Sequence, residues 1–349
     1  MKKIAVIGTV GIPACYGGFE SLVENLTKYS SEEFLYQVFC ADESYEDKLE
    51  SYNKAELTYL PLSANGISSI PYDILSLIKC IRSKPDVVLI LGVSGCIFLP
   101  IYKLFSSAKV ITNIDGLEWR RDKWGEFARK FLKLSERIAV KYSDVIVTDN
   151  QAISDYVLQE YNVKTETIAY GGDHVLTKSV KKIPSNYFLA LCRIEPENNV
   201  KMILEAFKGT DHKIKFIGNW DKSSFGQEVR RCYEHEPNIE LLDPVYDLDV
   251  LYEHRNNCRG YIHGHSAGGT NPSLVEVMHF EVPVFAFDCD FNRYSTDNSA
   301  QYFGSESDLE ALLDNYSLRE ANKNASNMKK IAKSKYIWSV IAKKYEDLY

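Results

Sequence analysis

Residues 261–276 read Tyr-Ile-His263-Gly-His265-Ser-Ala-Gly268-Gly269-Thr270-Asn271-Pro272-Ser-Leu-Val-Glu276. Two adjacent glycines let a backbone approach a ligand closely. Thr270 or Asn271 suits a helix N-cap, and Pro272 suits the first helical position. The pattern predicts a helix start able to receive an anion, with Glu276 about one turn inside to meet nearby ribose hydroxyls. An ordinary capped helix would read the same way. His263 and His265 would share one face of a strand and so hint at metal, but no third ligand lies nearby. Asp288-Cys-Asp290 and Asp247-Leu-Asp249 also mimic a metal-binding pair. Upstream, Arg193 closes the apolar run Leu189–Cys192 and precedes Ile-Glu-Pro-Glu197-Asn198-Asn199. A guanidinium is a fixed fork for phosphate oxygens.

The first half of the chain offers acids and aromatics at the ends of apolar runs. Asp149 ends Val145–Thr148, and Tyr170 follows Ile168-Ala. An acid there could orient or deprotonate a hydroxyl. Capping a helix that starts near Gln151 is the structural alternative. Asp115, Glu118 and Trp119 follow the run Lys109–Asn113; the acids suit sugar hydroxyls and the indole a pyranose face. A solvated loop with a core Trp is the alternative. Near the N-terminus, Gly8-Thr-Val-Gly11 leads into Tyr16-Gly17-Gly18-Phe19-Glu20. Gly17 and Gly18 would open a helix near Phe19 whose free N–H groups suit a phosphate or sugar oxygen. Val10 breaks the dehydrogenase Gly-x-Gly-x-x-Gly pattern.

These residues need strands to end beneath them. Short Val/Ile/Tyr-rich runs alternate with helical patterns: Lys3–Gly8, Tyr36–Cys40, Leu57–Leu60, Asp86–Leu91, Lys109–Asn113, Asp144–Asp149 and Thr165–Tyr170. A second series follows: Tyr187–Cys192, Lys213–Gly218, Ile239–Leu242, Gly260–His263, Val282–Phe287 and Ala300–Phe303. Such alternation predicts an α/β chain of two doubly wound parallel sheets with a cleft between them. The segment that follows Arg121 predicts a helix with Trp124, Phe127, Phe131, Leu134 and Ile138 as its core stripe. Residues 120–141 hold eight Lys/Arg against three Asp/Glu. That basic face suggests contact with anionic lipid headgroups or a diphosphate.

The composition of the 349 residues is that of an ordinary globular protein, at 45% hydrophobic and 26% charged. A net charge of −7 gives no overall basic footprint for nucleic acid. The eight cysteines are scattered, with no CxxC pair, which suits reduced thiols in a cytoplasmic protein. The longest uncharged run, Val87–Tyr102, is interrupted by Gly92, Gly95 and Pro100 and falls short of the roughly twenty apolar residues a spanning helix needs. The sequence thus predicts a cytoplasmic protein, with peripheral contact at the inner membrane face through the 120–141 helix.

Taken in order, the motifs resemble those of GT-B glycosyltransferases of family 4, and are similar to bacterial β-1,4-rhamnosyltransferases with their distinctive N-terminal domain. The markers are Tyr16-Gly-Gly-Phe-Glu20, Asp115-Gly-Leu-Glu-Trp119 with Lys123-Trp124, Arg193 to Asn199, and His263 to Ser273 with Glu276. The resemblance implies two facing Rossmann-like domains: residues 1–175 for the acceptor, 176–333 for the nucleotide sugar, and a C-terminal helix, 334–349, crossing back to the first. It implies a retaining enzyme without catalytic metal or other cofactor. The implied donor is dTDP-β-L-rhamnose, and the implied acceptor is a sugar on a lipid diphosphate in surface polysaccharide synthesis (O-antigen, capsule or wall polysaccharide).

The resemblance carries Asp149, Tyr170 and Arg193 as catalytic residues. Donor contacts fall on Gly17, Gly18, Arg193, Asn198, His265, Gly268, Gly269, Thr270, Asn271 and Glu276. Acceptor contacts fall on Asp115, Glu118 and Trp119. Two departures stand out: Gly268 occupies the place of the wider family's first Glu, and Asn198 that of a Lys near the diphosphate. An epimerase on the same scaffold and a non-catalytic nucleotide-sugar binder are the alternatives.

Overall fold

The computed structural model describes residues 1–14, 17–114, 116–120, 125–178, 181–183, 185–315 and 317–349. The chain divides into two compact units. Unit 1 comprises Met1–Tyr170 and Trp338–Tyr349, and unit 2 comprises Gly171–Ile337. Residues 171–175, which the sequence reading places in the first domain, fall in unit 2.

In unit 1 the strands are β1 (Lys2–Ile7), β2 (Phe34–Ala41), β3 (Ser51–Tyr52), β4 (Ala55–Leu60), β5 (Val87–Leu91), β6 (Lys109–Ile114), β7 (Val145–Thr148) and β8 (Glu166–Thr167). They form one sheet in the order β3-β4-β2-β1-β5-β6-β7-β8. Every pairing is parallel except β3 with β4. Val-Val-Leu-Ile-Leu of β5 is buried throughout, as expected of a parallel strand covered on both faces. The helices are α1 (Gly18–Lys28), α2 (Ser69–Ser83), α3 (Leu99–Phe105), α4 (Glu126–Tyr142) and α5 (Gln151–Tyr161).

Unit 2 holds β9 (Tyr187–Leu191), β10 (Lys213–Ile217), β11 (Ile239–Leu242), β12 (Gly260–His263), β13 (Val284–Phe287) and β14 (Gln301–Phe303). All pair in parallel, in the order β11-β10-β9-β12-β13-β14. Its helices are α6 (Val200–Phe207), α7 (Ser224–Tyr233), α8 (Leu248–Asn257), α9 (Pro272–Met278), α10 (Asp290–Ser295), α11 (Glu306–Asn315) and α12 (Leu318–Lys335). Phe188, Phe207, Phe216, Trp220, Phe285 and Phe303 lie in its core. The last helix, α13 (Trp338–Leu348), belongs to unit 1. It is fastened there by Asn113 Nδ2 donating to Tyr345 Oη at 2.8 Å and Ser31 N donating to Glu346 Oε1 at 2.7 Å.

Ignoring the short outer strands of unit 1, both sheets have the doubly wound order 3-2-1-4-5-6. Ligands of such sheets bind beyond the carboxyl ends of the strands where the order reverses. That point lies between β1 and β5 in unit 1 and between β9 and β12 in unit 2.

Two expectations need correction. The run Thr165–Tyr170 forms only the two-residue β8, and Tyr170 follows it as buried non-strand backbone. The apolar stripe of α4 does not form its core face. Phe127 is 86% and Leu134 49% exposed, whereas Leu132, Ser135, Glu136, Ala139 and Val140 are buried. Small residues let α4 sit close to its neighbours, and Glu136 is tolerated inside because its oxygens are hydrogen-bonded. Trp124 of that stripe lies outside the described residues.

Candidate functional site

The switch point of unit 2 gathers the second-half motifs. Strand β9 delivers Arg193, and β12 delivers the loop 264–271. The two loops are tied together. Asn199 Nδ2 donates to the Gly264 carbonyl at 2.8 Å, and Ser266 N and Oγ donate to the Glu197 carbonyl at 3.0 and 2.8 Å. A Cβ on Gly264 would collide with the Asn198 carbonyl. Gly264→Ala should therefore push the 193–199 loop outward. Overpacking of this kind costs about 1–3 kcal/mol. The variant should lose about that much unfolding free energy, read by urea unfolding.

Asn198 is buried, and both ends of its amide are engaged: Nδ2 donates to the Arg193 carbonyl at 2.7 Å, and Oδ1 pairs with His265 Nδ1 at 2.8 Å. The expectation of direct donor contacts from Asn198 is thus replaced by bracing of the Arg193 loop against His265. The Arg193 side chain is 39% exposed and meets Glu195 Oε2 at 3.5 Å. Its guanidinium is open to an anion. His263 is buried, with Nε2 unpartnered among the described residues. Burial, reinforced by neighbouring His265, holds its imidazole well below its ordinary pKa. Among the described residues no group of three or more His, Cys, Asp or Glu could hold a metal ion.

Gly268 adopts φ +119°, a conformation that favours glycine. Gly268, Gly269 and Thr270 are buried as the chain enters α9. Asn271 is the cap, its Oδ1 accepting from Ser273 N at 3.0 Å, and Pro272 follows at N1. The helix has only seven residues, so its dipole is small, and anion binding here falls to the loop's own N–H groups. Glu276 sits in α9 with its side chain 14% exposed. One oxygen, Oε2, is bonded by Arg255 Nη2, and the other lies 3.5 Å from His174 Nε2. Neither partner is signalled by sequence, because Arg255 is on α8 and His174 in the short helical turn Asp173–Val175.

In unit 1, Gly18 and Tyr170 meet: a Cβ on Gly18 would lie 3.4 Å from the phenol oxygen. The Gly-rich turn after β1 is not an open anion cradle, however. Glu20 Oε1 accepts from Val10 N at 2.8 Å and Thr9 Oγ1 at 2.9 Å, and Glu24 Oε2 accepts from Ala14 N at 2.6 Å. A Cβ on Gly17, at φ +144°, would collide with Glu20. A buried carboxylate in the first turn of α1 opposes a phosphate there.

Asp149 is buried at the end of β7. It does not cap α5: Asn150 does, its Oδ1 accepting from Ala152 N at 3.0 Å. Trp119 Nε1 donates to Glu136 Oε2 at 3.0 Å, and Tyr156 and Tyr161 hydroxyls donate to Oε1 at 2.7 and 2.6 Å. The Arg120 guanidinium and Lys133 ammonium lie 5.1 and 4.7 Å from the indole centroid. Trp119 is thereby anchored to α4, which steadies the loop carrying Glu118. Asp115, Tyr16, Lys123 and Trp124 lie outside the described residues.

Residues 1–173 match a family described as a domain of unknown function, DUF1972. No curated protein matches the chain. Several solved structures share its fold over its whole length. Sucrose-phosphate synthase from Thermosynechococcus elongatus superposes with a TM-score of 0.81 at 12% identity, covering 100% of this chain and 98% of that one. A glycosyltransferase from Rickettsia africae gives 0.75 at 13% identity, covering 100% and 97%. Anabaena HepE in complex with UDP and glucose gives 0.75 at 13% identity, covering 100% and 99%. At such identities the likeness is one of fold: α/β, with two Rossmann-like sheets, the GT-B architecture.

Proposed function

We propose that the protein is a retaining glycosyltransferase. It takes a hexosyl group from a nucleotide sugar, dTDP-β-L-rhamnose before others, and passes it to a sugar on a lipid diphosphate in bacterial surface polysaccharide synthesis. The observation that carries this reading is the switch point of unit 2, where an open guanidinium, a glycine-bent loop and a carboxylate converge beside one strand pair. The similar structures, which include a glycosyltransferase from Rickettsia africae and Anabaena HepE in complex with UDP and glucose, support it.

In this reading unit 2 holds the donor. Arg193 and the main-chain N–H groups of 268–270 meet the charge that grows on the departing diphosphate, which is the larger part of such catalysis. The reading calls for no metal or other cofactor. Glu276 takes the ribose hydroxyls. Unit 1 holds the acceptor through Asp115, Glu118 and the anchored Trp119, with Asp149 and Tyr170 orienting the attacking hydroxyl. Attack occurs on the face the diphosphate leaves: the new C–O bond forms as the anomeric C–O bond breaks, and the departing phosphate oxygen accepts the acceptor's proton. A donor screen by mass spectrometry with a lipid-diphosphate GlcNAc acceptor tests this. Transfer to the acceptor supports it. A new nucleotide sugar formed from donor alone, or binding without turnover, overturns it.

A lipid-linked acceptor asks for contact with a membrane. Among the described residues no helix is long and apolar enough to cross one. The outward face of α4 suits a peripheral role: Phe127, Lys130, Leu134, Arg137 and Lys141 are exposed there, with Phe131 and Ile138 half-buried beside them. Inserting Phe and Leu contributes about 1.5–3 kcal/mol each, and each basic residue near an anionic surface about 1 kcal/mol. Phe127→Asp with Leu134→Asp should lower co-sedimentation with vesicles containing phosphatidylglycerol by about tenfold or more. Equal binding to phosphatidylcholine vesicles, or no loss in the variant, would refute this face as the contact.

A further inference from the structure

We infer that Arg255 is a positioning residue of the donor site: it fixes the Glu276 carboxylate so that the enzyme can read a ribose hydroxyl. The inference rests on the donor-site reading above and adds a residue to it. The Arg255 side chain, on α8, is 3% exposed, and that of Glu276, on α9, is 14% exposed. The guanidinium thus lies behind the carboxylate, which keeps an accessible edge. Arg255 commits only Nη2 to this contact; its Nε and Nη1 are buried and unpartnered among the described residues.

Such a pair is a poor way to join two helices. Removing a charge from water costs more than a half-satisfied contact returns, and apolar residues of similar volume pack as well or better. What the pair supplies is direction. An anchored carboxylate presents its remaining lone pairs in one orientation, whereas a free Glu side chain would spend rotamer entropy on every binding event. His174 Nε2, 3.5 Å from Oε1, limits the carboxylate on its other side. The surrounding polar groups have other partners. The Tyr261 hydroxyl donates to the Leu191 carbonyl at 3.1 Å and lies 3.0 Å from Ser273 Oγ, while His279 Nε2 lies 3.1 Å from the Tyr336 carbonyl. Arg255 is therefore the group that holds Glu276 from within.

The experiment is calorimetry with thymidine diphosphate and uridine diphosphate, each against its 3′-deoxy analogue. The proteins are wild type, Arg255→Met, Arg255→Lys and Glu276→Gln. Wild type should prefer the 3′-hydroxyl compound by about tenfold or more, the worth of a hydrogen bond to a charged acceptor. Arg255→Met should reduce the preference to within about twofold by weakening the 3′-hydroxyl compounds, with affinity for the 3′-deoxy analogues kept, a split that general loosening would not give. Arg255→Lys keeps the charge without the fork and should lose at least about threefold of the preference; it carries the test if the Met variant does not fold. Full preference in either folded variant overturns the role of Arg255. A wild type that binds neither diphosphate overturns the donor-site reading and this inference with it. Binding without preference for the 3′-hydroxyl overturns the inference alone.

Discussion

Arg193→Ala should lower the proposed glycosyl transfer by about 10²–10³-fold, the cost of removing one preorganised donor from a site where charge develops. Strand β9 brings the residue to the switch point, and the bond from Asn198 to its carbonyl holds the loop in place. Among the described residues the guanidinium pairs with Glu195 at 3.5 Å, a contact that a diphosphate can replace. Negative charge on the diphosphate grows as the sugar departs, so kcat should fall more than KM rises. Arg193→Lys should lie between wild type and Ala, because an ammonium retains charge but cannot bridge two oxygens. Steady-state transfer with the donor found in the screen measures all three. Near-normal turnover of the Ala variant would remove Arg193 from the mechanism.

The fold was legible because buried parallel strands announce themselves as short apolar runs. Val87–Leu91 and Tyr187–Leu191 could scarcely be anything else. What sequence did not disclose was direction and distance. The α4 stripe has a true helical period, but a period shows that a face exists and not which way it points. The inward face carries Ser135, Glu136 and Ala139, and Glu136 reads as a surface acid until Trp119, Tyr156 and Tyr161 are seen to satisfy it. Asn198 and His265 read in sequence as two separate donor contacts, yet their bond to each other spans 67 positions and makes Asn198 a brace. Arg255 and Glu276 lie on separate helices, so only the packing of α8 beside α9 brings them together. The Gly17–Glu20 turn likewise kept its partners hidden. Its glycines drew attention to ligand approach, while the nearby carboxylates of Glu20 and Glu24 already held the loop's N–H groups.

A different buried carboxyl makes unit 1 pH-sensitive. Asp73 of α2 is buried, and burial pushes its carboxyl up to about 8, only partly offset by the Gly95 N–H donating to Oδ2 at 3.1 Å. Its Oδ1 has no partner among the described residues. The folded-state value lies above that of the unfolded chain. The native carboxyl should stay neutral up to about pH 8, whereas in the unfolded chain it ionises near pH 4, so stability should be unaffected below about pH 4, fall as pH rises from 4 to 8, and level off above. At about 1.4 kcal/mol per pH unit the ceiling on this loss is roughly 6 kcal/mol. Asp73→Asn keeps an acceptor for the Gly95 N–H and cannot ionise. The variant should match or fall slightly below wild type near pH 4–5 in urea unfolding, and exceed it by a margin that widens up to pH 8. The consequence reaches the ligand face of unit 1. Gly95 belongs to the loop that follows β5 at the switch point, and a Cβ there would collide with Asp73, so loop and carboxyl are in direct contact. An ionised Asp73 should loosen that loop before the sheet unfolds, and amide exchange at Val93–Cys96 should quicken with pH beyond its chemical rate in wild type but not in Asp73→Asn. Parallel pH profiles for the two proteins would show that the carboxyl finds water or a proton donor in its pocket and carries no penalty.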